Sequence, residues 1–281
     1  MNNPYIISQE FNLASSPQNS LIKQGELATV RESLDAELRA MGKETWWVSE
    51  NSIANVMNKQ ANQSTLPTVS LDEVYLQSPD MRLGISRAVD TQFNDAGYAP
   101  RTQEYASITN QLNTVASLGS EIQLVDDVIF SGEMVAWLAT ELEKRDVRIK
   151  RVLSGIAIKE GMQKLESLGI DVDAAYMFDA VDDEICERDL FVAKGSGRRI
   201  AERSMNAFYF DTENGKPEQW ASIPGQYTRA FFRNSLERSR NLLLPDVPMK
   251  DVGSFYGYPN VSNSTAIEVI NQQLSKEELY V

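Results

Sequence analysis

Two adjacent acids, Asp126 and Asp127, follow the mostly apolar run Ile122 to Val125 and precede a Ser-Gly pair at Ser131 and Gly132. A short apolar run of this kind reads as a buried strand, which places the acids at its carboxyl end. Val128 to Glu133 then read as a loop. From Met134 to Leu142, apolar residues recur at 134, 138 and 142, which is helix spacing. Val147 and Ile149 alternate with charges, and Val152 to Ile158 reads as a second strand. In such a β-loop-α-β unit, ligands bind outside the carboxyl ends of the strands. A loop entering a helix offers unpaired N–H groups and a positive dipole end, suited to an anion. Carboxylates accept hydrogen bonds only, so they suit vicinal hydroxyls or a hard cation such as magnesium. Phosphate on the loop with hydroxyls on the acids describes a ribose 5-phosphate. The same residues also admit a plainer description, with Ser131 as an N-cap and Glu133 favourably placed in the first helical turn.

The string Val125-Asp126-Asp127-Val128-Ile129-Phe130-Ser131-Gly132 resembles the phosphoribosyl-diphosphate (PRPP) signature of the type I phosphoribosyltransferase family. That signature runs from a hydrophobic strand through two acids and a short apolar stretch to Thr or Ser, Gly, any residue, and Thr or Ser. The resemblance implies that Asp126 and Asp127 are the catalytic acids holding the ribose hydroxyls. It implies that Val128, Ile129, Phe130, Ser131, Gly132, Glu133 and Met134 form the substrate-binding segment, with Phe130 to Met134 around the 5-phosphate. Magnesium is the implied cofactor, carried by PRPP and touched by Asp126 and Asp127. The chain departs from the pattern at Met134, where the family usually has its second hydroxyl, and at Glu133, which brings a negative charge. Phe130 stands where some members that act on nucleobases have an acid, which argues against a simple hypoxanthine-guanine enzyme.

The family also has an early strand ending in a loop that contacts pyrophosphate, and Gly84 to Ala88 is loosely similar. Arg87 and Arg101 are candidate pyrophosphate contacts, because guanidinium forks match phosphate oxygens. Both also read as surface arginines. Asp182, Asp183, Glu187 and Arg188 lie beyond the third core strand, where the family shapes its base pocket, so Arg188 is a further substrate-binding candidate. The family's mobile loop has two candidate counterparts, 94–103 and 105–120.

The function expected is transfer of a phosphoribosyl group from PRPP to a nitrogenous base, with release of pyrophosphate. Two alternatives stand beside it: a non-catalytic PRPP- or nucleotide-binding regulator, and a nucleotide or ribosyl hydrolase on the same scaffold. The partners are then PRPP or a nucleotide, a base acceptor and, compatibly, a second copy in a homodimer.

Composition narrows the classes. The chain has 281 residues, 27 Lys and Arg against 40 acids, and a formal charge of -13. That balance disfavours nucleic acid and anionic membrane as partners. Histidine is absent and Cys186 is the one cysteine. Histidine triads, imidazole bases, structural zinc and internal disulfides are therefore excluded, and a reducing cytoplasmic setting is expected. No apolar run approaches the roughly 20 residues of a membrane span, and the N-terminal stretch lacks the blocks of a signal peptide.

The elements that must position the acids follow. The fold class expected is α/β, a Rossmann-like, phosphoribosyltransferase-like, mostly parallel sheet flanked by helices over 66–205. A helical N-terminal extension over 1–65 and a mixed C-terminal accessory lobe over 206–281 complete it. The first 20 or so residues read as an extended or loosely ordered arm, 20–41 and 49–59 as helices, 66–76 as an edge strand or hairpin and 94–103 as a loop. Further on, 159–168 reads as a helix, 172–178 as a strand and 200–206 as a helix. The clustered aromatics after Phe208 read as packing within a lobe, in preference to a stacking surface for nucleic acid. For Trp46 and Trp47, burial of one or both against the core is expected before base stacking.

Overall fold

The computed structural model describes residues 3–16, 18–201, 203, 205–211, 215–256 and 264–278. Its strands in chain order are β1 (Pro4–Ser8), β2 (Glu44–Val48), β3 (Thr68–Ser70), β4 (Met81–Arg82), β5 (Ile85–Val89), β6 (Asp95–Pro100), β7 (Glu121–Ile129), β8 (Arg148–Ile158), β9 (Asp171–Phe178), β10 (Asp183–Cys186) and β11 (Arg199–Ile200). The α-helices are α1 (Leu27–Ala40), α2 (Glu50–Ala61), α3 (Ile108–Ala116), α4 (Glu133–Glu143), α5 (Lys159–Ser167), α6 (Pro217–Trp220), α7 (Thr228–Leu242), α8 (Met249–Val252) and α9 (Ala266–Glu278). The fold is α/β, with mainly parallel sheets flanked by helices.

The chain forms two compact units: 1–47 with 86–99 and 182–281, and 48–85 with 100–181. Their bounds differ from the 1–65, 66–205 and 206–281 division expected from the sequence. Of the expected lobe over 206–281, residues 212–214, 257–263 and 279–281 lie outside the described residues.

The second unit carries a five-stranded, wholly parallel sheet in the order β4-β3-β7-β8-β9. Ile122 to Val125 are fully buried, as expected of a central strand covered on both faces. Helix α2 packs on β8 and β9, with Ile53 and Met57 over Gly155. Helices α4 and α5 pack on each other and on β8. From β3 the chain steps outward to β4, then returns to the other side of β3 for β7. That reversal is a topological switch point, where open α/β sheets place their ligand crevice.

The first unit is built around one apolar core. Leu27, Val30, Leu34 and Leu38 of α1 meet Phe231, Phe232 and Leu236 of α7 and Ala266, Val269 and Ile270 of α9. Strand order β10-β1-β2 forms one small sheet and β11-β5-β6 another.

Several expectations are sharpened or corrected. Of the two forms expected for the N-terminal arm the extended one is seen over β1, which pairs in parallel with β10 from Tyr5↔Asp183 to Ser8↔Cys186 and buries Tyr5, Ile6 and Ile7 fully. The helix expected over 20–41 starts at Leu27, after 3-10 turns at Asn19–Leu21 and Gln24–Glu26. The strand expected over 66–76 is confined to Thr68–Ser70, because Asp72 then turns the chain. Residues 94–103 contain β6, and the expected helix over 200–206 begins as strand β11. Of the two tryptophans one packs against the core as expected: Trp47 is half-buried with its indole N–H on Asp35 Oδ1 at 2.9 Å, while Trp46 is 52% exposed. The aromatics after Phe208 pack as expected: Tyr209 stacks on Trp220 with centroids 4.1 Å apart, and Phe210 meets Phe231 and Phe232. Among the described residues, no helix is long and apolar enough to cross a membrane.

Candidate functional site

Strand β7 runs to Ile129, so Asp126 and Asp127 sit within it and not after it. The reason lies in unequal neighbours. On one side β8 stays paired through Ile129↔Ala157, whereas on the other β3 ends at Ser70, opposite Val125. Leu71 N still donates to Val125 O at 2.8 Å, and beyond that the chain turns away. Asp126 and Asp127 therefore occupy the length of β7 that overruns β3, at the switch point. The sequence expectation holds toward β3 and fails toward β8.

Asp126 is 8% exposed. Burial raises its carboxyl well above the usual carboxylate range, and the neighbouring charge and hydrogen bond of Asp127 add to the rise. The Arg101 guanidinium pulls in the opposite direction. The side chains are steadied by the backbone: Asp127 N donates to Asp126 Oδ1 at 3.0 Å and Val128 N to Asp127 Oδ1 at 2.9 Å.

The loop is shorter than expected, Phe130 to Gly132, and α4 begins at Glu133. Gly132, with φ +71°, occupies the N-cap position of α4, so Ser131 is not the cap; its Oγ lies a long 3.5 Å from Glu133 N. A left-handed φ here favours glycine. The turn is also held from outside. A Cβ on Gly161 would collide with the Phe130 carbonyl oxygen and reach within 3.0 Å of Gly132 N. Phe130, Ser131 and Met134 are half-buried, and Val128 and Ile129 belong to β7. Glu133 is exposed and ion-paired with Lys164 of α5. That pair offsets part of the negative charge the sequence set at the loop.

The β3 side is formed by Leu71 to Gln77, which residue patterns did not mark as a site. Asp72 is buried, and its carboxylate accepts from Val74 N at 2.8 Å, Tyr75 N at 2.9 Å and Leu76 N at 2.6 Å. Burial raises the Asp72 carboxyl, and the charge of Asp127 raises it further. The signal that could have found it is the Asp72-Glu-Val-Tyr order, an Asx turn directly after a β run. Arg101 Nη2 donates to Leu71 O at 2.9 Å, and its Nη1 lies 3.4 Å from Glu73 Oε2. Tyr105 donates to Glu73 Oε1 at 2.8 Å; burial and that bond push its hydroxyl up to about 12.

The structure thus brings together Asp126, Asp127, Arg101 and the 130–134 loop within the second unit. Arg87 and Arg188 belong to the first unit. Arg87 is exposed on β5, so Gly84 to Ala88 is mostly strand and not the expected loop. Arg188 is ion-paired with the buried Glu10 at 2.6 Å. Of the mobile-loop candidates, 94–103 contains β6 and 105–120 contains α3. Among the described residues, no three acids converge to cage a metal. The Asp126–Asp127 pair fits a different mode of magnesium binding, with one or two carboxylates joined by ligand phosphates.

No protein-family model matches the chain. No curated protein matches it. Among solved structures, orotate phosphoribosyltransferase from Aeropyrum pernix is 21% identical with a TM-score of 0.20, over 20% of this chain and 35% of that one. Leishmania donovani UMP synthase is 14% identical with a TM-score of 0.29, over 46% of this chain and 27% of that one. Mycobacterium tuberculosis H37Rv orotate phosphoribosyltransferase, in complex with Fe(III) dicitrate, is 13% identical with a TM-score of 0.28, over 45% of this chain and 71% of that one. Less than two thirds of either of the first two chains is spanned, and overlaps this slight assign no function.

Proposed function

We propose that the second unit binds a ribose 5-phosphate ligand, either PRPP or a nucleotide. The ribose hydroxyls lie on Asp126 and Asp127, and the 5-phosphate on the turn from Phe130 to Met134. The observation that carries this reading is the pair of acids placed at the switch point, one tight turn before the N-terminus of α4. Two carboxylates held against each other accept hydrogen bonds from a vicinal diol and gain from its donors. Asp126 and Asp127 are also the groups that would hold a ligand-borne magnesium ion, which supplies charge neutralisation between the acids and the ligand's oxygens.

A second reading, phosphoribosyl transfer to a nitrogenous base, is favoured by Arg101. Its charge acts on Asp126, and its buried Nε makes no hydrogen bond among the described residues. In that reaction the ribose C1–oxygen bond breaks, pyrophosphate leaves with the bonding pair, and a base nitrogen takes C1. Asp126 and Asp127 would fix the ribose as positive charge develops on the ring, which is positioning and charge complementarity. A hydrolase would use water in place of the base.

Calorimetric titration of PRPP, ribose 5-phosphate and nucleoside 5′-monophosphates with magnesium tests the binding claim. Binding by the native chain that is lost in the Asp126→Asn/Asp127→Asn variant is expected. A folded native chain that binds none of them overturns the reading. Product analysis with a base added then separates transfer, hydrolysis and binding alone.

A further inference from the structure

The turn from Phe130 to Met134 is backed by one face of α5. Gly161 has no room for a side chain against the Phe130 carbonyl, and a Cβ on Gly132 would lie 3.3 Å from Leu165 Cγ. Residues three and four apart share a helix face, so Lys164 stands on the face that presses Gly161 and Leu165 against the turn. Its ammonium is ion-paired with Glu133, the first residue of α4. The turn itself offers backbone N–H groups and Ser131 Oγ, since Met134 carries no hydroxyl, and Glu133 sets a carboxylate beside any phosphate bound there. The ion pair is loose enough to open. The Lys164 and Glu133 side chains are 36% and 65% exposed, and pairs this exposed hold their partners weakly. A phosphate monoester carries about 1.5 to 2 negative charges at neutral pH, against one on a carboxylate. It is the stronger acceptor for the ammonium.

Resting on the ribose 5-phosphate reading above, we infer that Lys164 is a further ligand-binding residue, which leaves Glu133 for the 5-phosphate when the ligand seats. Glu133 is then a stand-in that keeps the ammonium beside the turn in the free protein. A lysine from α5 thus supplies the side-chain donor that Met134 lacks, and the turn takes a phosphate monoester by charge as well as by backbone N–H groups.

Calorimetric titration of ribose 5-phosphate with magnesium into the native full-length chain and its variants tests this. Both side chains are exposed, so the variants are expected to fold, and urea midpoints equal to the native one check it. Lys164→Gln is expected to weaken binding by about tenfold, and Lys164→Arg by no more than about threefold. Glu133→Gln removes the competing carboxylate and is expected to tighten binding. The double variant Glu133→Gln/Lys164→Gln separates a phosphate ligand from a mere counter-charge. Measured against Glu133→Gln, it is expected to be weaker by about tenfold again. A loss below about twofold in that background means that Lys164 only cancels Glu133, and overturns the inference. Native-like affinity in Lys164→Gln, with binding still abolished in Asp126→Asn/Asp127→Asn, overturns it too and leaves the ribose site standing. A native chain that binds no ribose phosphate overturns the ribose site itself, and the inference with it.

Discussion

Asp126 is held where its charge is penalised, by burial first and by Asp127 second. An acid whose folded pKa is raised binds its proton more readily folded than unfolded, so folding stability falls as pH rises from the unfolded value toward the folded one. Asp126→Asn removes that dependence. The variant is expected to melt at or above the native temperature at pH 7, with the gap narrowing toward pH 4, while losing ligand binding. Thermal melts across pH check this, and a variant destabilised equally at both pH values would contradict it. Stability surrendered at Asp126 is what the binding role proposed for it would cost. The two acids were legible from residue type and adjacency. Asp72 was not, since a lone acid after a β run has many ordinary uses and only its burial and three N–H donors single it out.

At the scale of elements, the turn before α4 depends on α5. Gly161 stands where any side chain would strike the Phe130 carbonyl, so β7's last turn and the first turn of α5 approach closely. Gly161→Ala is expected to destabilise the fold by about 1–3 kcal/mol, as overpacking does, and to weaken 5-phosphate binding by about tenfold or more. Urea unfolding and phosphate titration read the two effects separately. The same change at Gly25, which has open space around it, is the control. Helix α4 was legible from its spacing, offset by one residue. The length of β7 was not, because it depends on β8 continuing and β3 stopping, and neither neighbour is recorded in the strand's own residues.

At the scale of the whole molecule, the first unit carries a buried ionic knot. Glu187 accepts from Arg31 at 2.5 and 2.7 Å and from Glu10 N at 3.1 Å, while Glu10 pairs with Arg188. These contacts tie the N-terminal segment and α1 to residues 187–190. Burial, only partly offset by Arg188, pushes the Glu10 carboxyl up to about 7. By the same sign rule, stability from this group is highest below its unfolded value of 4.5 and declines as pH rises to about 7, by of order 3 kcal/mol. Burial raises Asp72, Asp126 and Asp183 in the same direction. Chemical denaturation is therefore expected to show a midpoint that falls between pH 5 and pH 8. Glu10→Gln should flatten part of that slope, and an unchanged slope would show that Glu10 does not titrate there.

The sequence by itself determined the α/β class, the β7-loop-α4-β8-α5-β9 run and the identity of the acid pair. These rest on local periodicity and on adjacent residues whose chemistry is the same in any fold. Only the tertiary structure decided that Asp126 and Asp127 lie on the length of β7 that β3 leaves unpaired, since that follows from β3 ending at Ser70 beside a β7 that continues to Ile129. It likewise decided that Asp72 takes up the N–H groups of its own turn and that Arg101 joins the site from 25 residues beyond Asp126 in reverse chain order. It also set Arg87 and Arg188 in the first unit. Each of these outcomes is a pairing between segments distant along the chain, and burial energies that choose among such pairings are properties of the packed sheet and not of any one stretch.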